Sequence, residues 1–150
     1  MIVSKNGTVY QAIDHDGKRE TLFSNWTEKK YNAGVHGTNL LDDLGLGGHF
    51  DYPKSIFTIE TALWAQTYGD SYAIVLDYFA GSGTTGHAVI NLNREDDGKR
   101  QYILVEMGDY FDTVLKPRIA KVIYSSDWKD GKPTSRDKGV SHCFKSVSYT

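Results

Sequence analysis

Apolar residues change their spacing along the chain, and this change separates the first third from the remainder. At 7–14 apolar and polar residues alternate, which predicts a strand, and the return at 18–23 after a polar turn predicts a β-hairpin. Residues 32–49 are rich in glycine, so this stretch is interpreted as a loop with a short helix at 38–44. We therefore interpret residues 1–49 as a peripheral hairpin and loop.

The rest of the chain alternates segments of helical and strand-like pattern. Helical segments place apolar residues on one face, whereas the strand-like segments are continuously apolar, which indicates strands covered on both faces. The predicted elements are helices at 54–68, 84–92 and 110–124, strands at 72–76 and 101–106, a loop at 125–139 and a last strand at 140–149. This order predicts an α/β fold with a βαβα core at 50–150, in which a short parallel sheet carries flanking helices.

Composition narrows the class of protein. The 150 residues are 39% hydrophobic and 24% charged, which excludes wholesale disorder and suits one globular domain. A net charge of −2 does not favour a freestanding electrostatic binder of nucleic acid. The single cysteine and five scattered histidines offer no metal-ligand spacing, and no apolar run approaches the roughly 20 residues of a membrane span. We expect a cytoplasmic protein without a metal.

A glycine-rich turn joins the first buried strand to the helix that follows it. Gly81 and Gly83 remove the β-carbons that would keep a ligand away from the backbone, at the strand end where α/β proteins bind ligands. The spacing to Gly86 also fits a dinucleotide fingerprint and a phosphate-binding loop. His87 and Ala88 stand where the phosphate loop needs lysine and a hydroxyl, so the nucleotide triphosphatase interpretation fails. A turn without a ligand is a further alternative.

The turn and its preceding strand end carry a more specific motif. The run Asp77-x-Phe79-x-Gly81-Ser82-Gly83-Thr84-Thr85 resembles the S-adenosylmethionine-binding motif of the DNA amino-methyltransferases, which modify adenine N6 or cytosine N4. Glu106, after the second buried strand, matches the family's acidic residue that accepts hydrogen bonds from the ribose hydroxyls, although dinucleotide enzymes also have an acidic residue there. The resemblance implies S-adenosylmethionine as cofactor and a partial Rossmann-like methyltransferase fold. The binding residues it implies here are Asp77, Phe79, Ala80, Gly81, Ser82, Gly83, Thr84, Thr85 and Glu106.

A second segment of the chain indicates the subclass. The run Phe50-Asp51-Tyr52-Pro53-Lys54-Ser55 resembles the family's segment at the methionine end of the cofactor, which implies binding roles for Asp51, Pro53 and Lys54. A lysine beside a helix start is a suitable partner for a carboxylate. This segment precedes the glycine turn, an order similar to that of the β-class enzymes, particularly the methylation subunits of type III restriction–modification systems. The resemblance covers residues 32–146.

The family's catalytic tetrapeptide, an Asp/Asn/Ser-Pro-Pro-aromatic motif, is not found in this chain. Its three prolines, Pro53, Pro117 and Pro133, are not adjacent, so no catalytic residue is assigned. The resemblance therefore implies the cofactor-binding part of a DNA methyltransferase, adenine N6 being the expected acceptor, and a chain inactive alone. Its expected partners are DNA, the upstream half of the enzyme or a second copy that covers exposed apolar surface, and a restriction subunit, but no membrane. An NAD-type dehydrogenase fragment and a non-enzymatic assembly module with a vestigial pocket are the alternatives.

Several residues near these motifs have ordinary explanations. His87 lies in the first turn after the glycine turn, where packing or exposure is favoured over lining the pocket. The basic residues Lys116, Arg118 and Lys121 of the last helix are interpreted as a solvated face, with contact to DNA phosphate as the alternative.

Overall fold

The computed structural model describes residues 26–135 and 139–148, together with two short strands near the start of the chain. Strand β1 (Ile2–Val3) pairs antiparallel with β2 (Val9–Tyr10). The strand predicted at 7–14 is therefore confirmed at 9–10, but it pairs with an earlier segment. The predicted return strand at 18–23 lies outside the described residues.

The centre of the protein is a parallel strand pair joined by a helix. The elements follow in the order β3 (Ile74–Asp77), α3 (Thr84–Asp96), β4 (Gln101–Leu104) and α4 (Lys116–Tyr124). β3 and β4 run parallel, in register from the first residue of each strand to the last. This confirms the predicted βαβα unit and the α/β class, with a sheet of two strands at this point.

Within the described residues, two further α-helices precede this unit. Helix α1 (Asn39–Asp43) continues a π-helical segment at Gly34–Thr38, and α2 (Ile56–Gln66) packs along α3. Both agree with the helices predicted at 38–44 and 54–68. The Asn91 side chain donates to the Glu60 carboxylate at 2.8 Å, which joins α3 to α2.

Helix α3 is buried from its start through Ile90, because α2, α4 and β4 pack around it. Gly86 allows the closest contact: a β-carbon there would lie 2.7 Å from Ile119 Cδ1 and 2.9 Å from Leu104 Cδ1. Ile90 and Ile119 continue this core, against which Tyr102 of β4 packs. The small residue at 86 thus sets the distance between α3, α4 and β4.

A second cluster of buried residues ties the first third of the chain to the βαβα unit. Leu41, Leu44 and Leu46 pack against Val114, which is fully buried before α4 begins. The division of the chain at residue 49 stays a prediction, but three leucines from its first part contribute to this core.

Two predictions for the end of the chain are wrong. The supposed loop at 125–139 contains a hairpin of β5 (Trp128–Lys129) and β6 (Lys132–Pro133), turned by Asp130 and Gly131 at φ +49° and +75°. In the supposed last strand at 140–149, the described residues through 148 contain no strand. The Val140 amide there donates to the Ile123 carbonyl at 2.9 Å, near the end of α4. This segment therefore lies against a helix and not along the edge of a sheet.

The outer face of the strand pair is open. Ile74, Leu76 and Ile103 are 65%, 60% and 53% exposed. Their neighbours Val75 and Tyr102 are partly buried, and Tyr102 packs against the core that α3 and α4 share. The expectation that both strands are covered on both faces is therefore wrong for this chain. The expectation that apolar surface would remain uncovered is confirmed.

Candidate functional site

The carboxyl ends of β3 and β4 lie side by side, and backbone hydrogen bonds continue beyond the strands. The Val105 amide donates to the Asp77 carbonyl at 2.9 Å, and the Ala80 amide donates to the Val105 carbonyl at 3.0 Å. The turn after β3 is therefore held against Glu106, which follows β4. This edge of a parallel sheet is where ligands bind in open α/β proteins.

The glycine turn, residues 80–85, needs glycine at two positions. Gly81 and Gly83 have φ angles of +55° and +79°, in the left-handed region that other residues disfavour. The Gly83 amide closes the turn by donating to the Ala80 carbonyl at 2.8 Å, and Gly83 is also the N-cap of α3. A β-carbon at Gly81 would lie 3.1 Å from Phe50 Cζ. Both the backbone angle and the surrounding space therefore explain glycine at 81.

Asp77 holds the turn from the end of β3. Its Oδ1 accepts from the Phe79 amide at 3.2 Å, and its Oδ2 accepts from the Thr85 hydroxyl at 2.6 Å. One carboxylate thus joins the start of the turn to the first helical turn of α3. The Phe79 ring beside it is 77% exposed and packs edge-on against Tyr78.

Glu106 is fixed by backbone amides. Its Oε2 accepts from the Gly81 amide at 2.8 Å, and its Oε1 accepts from the amides of Met107 and Gly108 at 2.8 and 2.9 Å. Burial alone would raise the pKa of Glu106, but these amides and the Tyr110 hydroxyl stabilise the charged form and lower the pKa below its ordinary value. A fixed carboxylate therefore faces the turn.

The predicted methionine-end segment reaches the turn through a residue that the motif comparison did not assign. Phe50 lies against Gly81 and packs edge-on against Tyr110 at 4.9 Å between ring centres. Pro53 is buried, and its carbonyl lies against Gly37 too closely for any β-carbon there. The segment is thus anchored at both ends.

The two charged residues predicted in this segment point outwards. The side chains of Asp51 and Lys54 are exposed. Between them Tyr52, at a φ of +54°, is 95% exposed. The structure therefore brings Asp77, Glu106 and the glycine turn together, with Phe50 beside them, and leaves Asp51 and Lys54 at the surface of the same segment.

Beneath the turn lies a buried polar layer that the sequence did not reveal. Arg118 is 0% exposed, which corrects its assignment to a solvated helix face. Its spacing of four residues from both Val114 and Val122, which are buried, is the signal that places it on the inner stripe of α4. His87 is also buried, which agrees with its interpretation as a packing residue. Burial and the positive charges of Arg118 and Arg94 hold the pKa of His87 well below its ordinary range.

Other candidate sites lie elsewhere or are not found. A cavity of about 420 Å³ opens at the beginning of β4, the opposite end of the sheet from the turn, and is lined by Arg94, Lys99, Gln101 and His142 among others. Within the described ranges no cluster of histidine, cysteine and acidic side chains could hold a metal ion. In the same ranges, no helix has both the length and the apolar composition of a membrane span.

The fold and the site define an α/β protein with a glycine-rich turn at the carboxyl end of its parallel strands. Sequence comparison gives its family. A family model described as DNA methylase matches residues 4–116, so the chain belongs to that family. The chain is 35% identical over 107 residues to the type II methyltransferase M.KpnI of Klebsiella pneumoniae, covering 71% of this chain and 25% of that protein.

Type III restriction–modification enzymes give similar matches. The chain is 36% identical over 101 residues to the StyLTI Mod subunit of Salmonella typhimurium, covering 66% of this chain and 15% of that subunit. It is 39% identical over 81 residues to the EcoPI Mod subunit of Escherichia phage P1, covering 54% of this chain and 12% of that subunit. The chain thus spans a quarter or less of the length of these relatives.

Proposed function

We propose that this chain is the S-adenosylmethionine-binding part of a DNA methyltransferase that modifies an exocyclic amino group, adenine N6, in a restriction–modification system. The observation that carries the proposal is the contact between Glu106 Oε2 and the Gly81 amide at 2.8 Å. It brings an acceptor suited to ribose hydroxyls beside a turn that a ligand can approach closely. The same arrangement supports the partial Rossmann-like methyltransferase fold.

The residues present fit this cofactor. Gly81 and Gly83 give the turn its left-handed backbone angles, and exposed Phe79 offers an aromatic face. Glu106 has about four acceptor positions, and three of them receive backbone amides. Ribose hydroxyls would therefore compete with the Tyr110 hydroxyl for the remaining position. Lys54, exposed on the anchored segment, is a suitable partner for the methionine carboxylate. When bound, the cofactor supplies the methyl group, and these residues bind and orient it.

We further propose that the chain does not catalyse methyl transfer alone, because its prolines are not adjacent and no Pro-Pro-aromatic motif is present to hold a flipped base. Its partners are then DNA, the remaining part of the enzyme and a restriction subunit, in the cytoplasm where that DNA lies. An assembly module with a vestigial pocket is the second candidate, favoured by the exposed residues Ile74, Leu76 and Ile103. Family membership does not favour the NAD-type dehydrogenase.

Calorimetric titration with S-adenosylmethionine, with NADH as control, tests the proposal. We expect micromolar binding of S-adenosylmethionine and no binding of NADH. The Gly81→Val variant should abolish binding, because its side chain would meet Phe50 and cannot adopt a φ of +55° without strain. Gly69→Val is the matched control: its φ is +78° and nothing lies within 4 Å of its β-carbon position. It should carry the same backbone strain and keep full affinity.

Two outcomes would contradict the proposal. Unchanged affinity of folded Gly81→Val would mean that the ligand binds elsewhere on the chain. No binding by a wild-type sample that is folded by circular dichroism would favour the assembly module.

A further inference from the structure

The buried Arg118 has unusual surroundings for an arginine. A guanidinium that is 0% exposed normally faces a carboxylate, because an isolated buried charge is costly. Here Nη1 donates to the Ser82 carbonyl at 3.3 Å and to the hydroxyls of Ser82 and Thr84 at 3.0 Å each. Nε donates to His87 Nδ1 at 3.3 Å, and Nη2 has no partner among the described residues. Each of these partners is neutral.

These hydrogen bonds hold the glycine turn on both sides of Gly83. Ser82 precedes Gly83 and Thr84 follows it, and Gly83 itself can adopt many backbone angles. The Arg118 bond to the Ser82 carbonyl turns that carbonyl towards the protein interior. The opposite side of the turn, with Gly81 and exposed Phe79, is left to a ligand.

The charge is retained at a cost in stability. Burial lowers the pKa of the Arg118 guanidinium to about 9, so the group remains charged at neutral pH. The guanidinium lies next to the N-terminus of α3, where the helix dipole is positive. The dipole therefore does not offset the positive charge of Arg118. Groups that are unfavourable for folding occur at functional sites, where activity is gained at a cost in stability.

We propose that Arg118 is a positioning residue for the cofactor: its guanidinium fixes residues 82–84 from beneath in the conformation that receives S-adenosylmethionine. This inference rests on the proposed function of the turn. Arg118 does not touch the ligand; it acts through Ser82 and Thr84.

Two substitutions at this position separate positioning from packing. Arg118→Met keeps much of the apolar volume and removes both charge and donors, whereas Arg118→Lys keeps the charge. Arg94→Met is the matched control, because Arg94 also joins α3 to α4, by donating to the Val122 carbonyl, but away from the turn. The measurements are calorimetric affinity for S-adenosylmethionine, thermal unfolding, and amide hydrogen exchange of residues 81–85 without ligand.

For Arg118→Met we expect affinity to fall by about ten-fold or more, the effect of losing hydrogen bonds to a charged group. Exchange in the turn should become faster while the unfolding temperature is unchanged or higher. Arg118→Lys should recover part of the affinity. Arg94→Met should lower the unfolding temperature and keep the affinity.

Two results would overturn the inference: unchanged turn exchange and affinity in Arg118→Met, or a parallel loss of affinity, unfolding temperature and protection throughout the protein. If the wild-type chain binds no S-adenosylmethionine, the proposed function fails separately. The exchange measurement on the free protein then still decides whether Arg118 holds the turn.

Discussion

Single carboxylates organise the ligand end of the sheet. Asp77 and Glu106 each join two pieces of chain, and neither faces a basic side chain in its hydrogen bonds. Their donors are backbone amides and the hydroxyls of Thr85 and Tyr110. Amide donors suit a site that must keep a carboxylate charged yet leave it approachable from solvent. These residues therefore shape the turn even before any ligand binds.

The lowered pKa of Glu106 has a consequence for stability against pH. A carboxyl whose folded pKa lies below its unfolded value, here 4.5 in the ordinary state, stabilises the protein above that value and stops doing so as the pH falls through the folded pKa. Glu106→Gln removes this contribution. We expect the difference in free energy of unfolding between wild type and variant to be constant near neutral pH and to shrink below about pH 4.5.

Denaturant unfolding at several pH values measures this difference. The exposed Glu95→Gln variant controls for the loss of one carboxylate from the chain. A gap that widens as the pH falls would contradict the assignment, since it would mean that the folded state favours the protonated form of Glu106.

At the scale of elements, the close approach of α3 to α4 depends on Gly86. Alanine there gains helix propensity, about 1 kcal/mol, but its β-carbon would lie 2.7 Å from Ile119 Cδ1. Overpacking of a core costs about 1–3 kcal/mol, so we expect Gly86→Ala to lower the free energy of unfolding by about 1 kcal/mol net. Ile119→Val removes Cδ1, so the double variant should recover part of the loss. Chemical denaturation of the four proteins gives the coupling energy. Strict additivity would contradict the contact.

The elements that could be predicted from sequence are those whose pattern is local. α2, α3, α4 and the two parallel strands each carry their own periodicity or apolar run, and the motif placed the glycine turn between β3 and α3. The hairpin of β5 and β6 was missed although Asp130-Gly131 is a hairpin turn signal, because its strands are two residues long and carry no alternation. The supposed last strand failed because a strand also needs an edge to pair with, which local pattern does not report.

The same limit applies to the site. The family resemblance pointed to the contiguous residues from Asp77 to Thr85 and to Glu106 after the next strand, and the structure brings these residues together. Their role in binding a cofactor stays a prediction. Phe50 and Arg118 could not be assigned to the turn in this way, since their contacts with the turn join segments more than 25 residues apart in sequence. The charge of Arg118 also led to a wrong prediction of its exposure, because arginine is usually exposed. Only its spacing from Val114 and Val122 indicated that it is buried.

At the scale of the whole molecule, the open sheet face is the feature that a partner would change. Ile74, Leu76 and Ile103 form one side of the strand pair, and their exposure leaves apolar surface in water. In a longer enzyme the remaining part of the protein is the proposed cover. For this chain in solution, a second copy offers the same apolar face. We expect that copy to cover the exposed strands in place of the remaining part of the enzyme.

We therefore expect the chain to self-associate, with a mass in sedimentation velocity that rises with concentration. Leu76→Lys should keep it at the monomer mass, because lysine is compatible with the exposed face but not with an apolar contact between two copies. Val35→Lys is the control, because Val35 is 51% exposed in the π-helical segment, away from the sheet. This variant should associate as the wild type does. A wild-type chain that remains a compact monomer at every concentration would contradict pairing through this face. Association that Leu76→Lys leaves unchanged would mean that another surface is responsible.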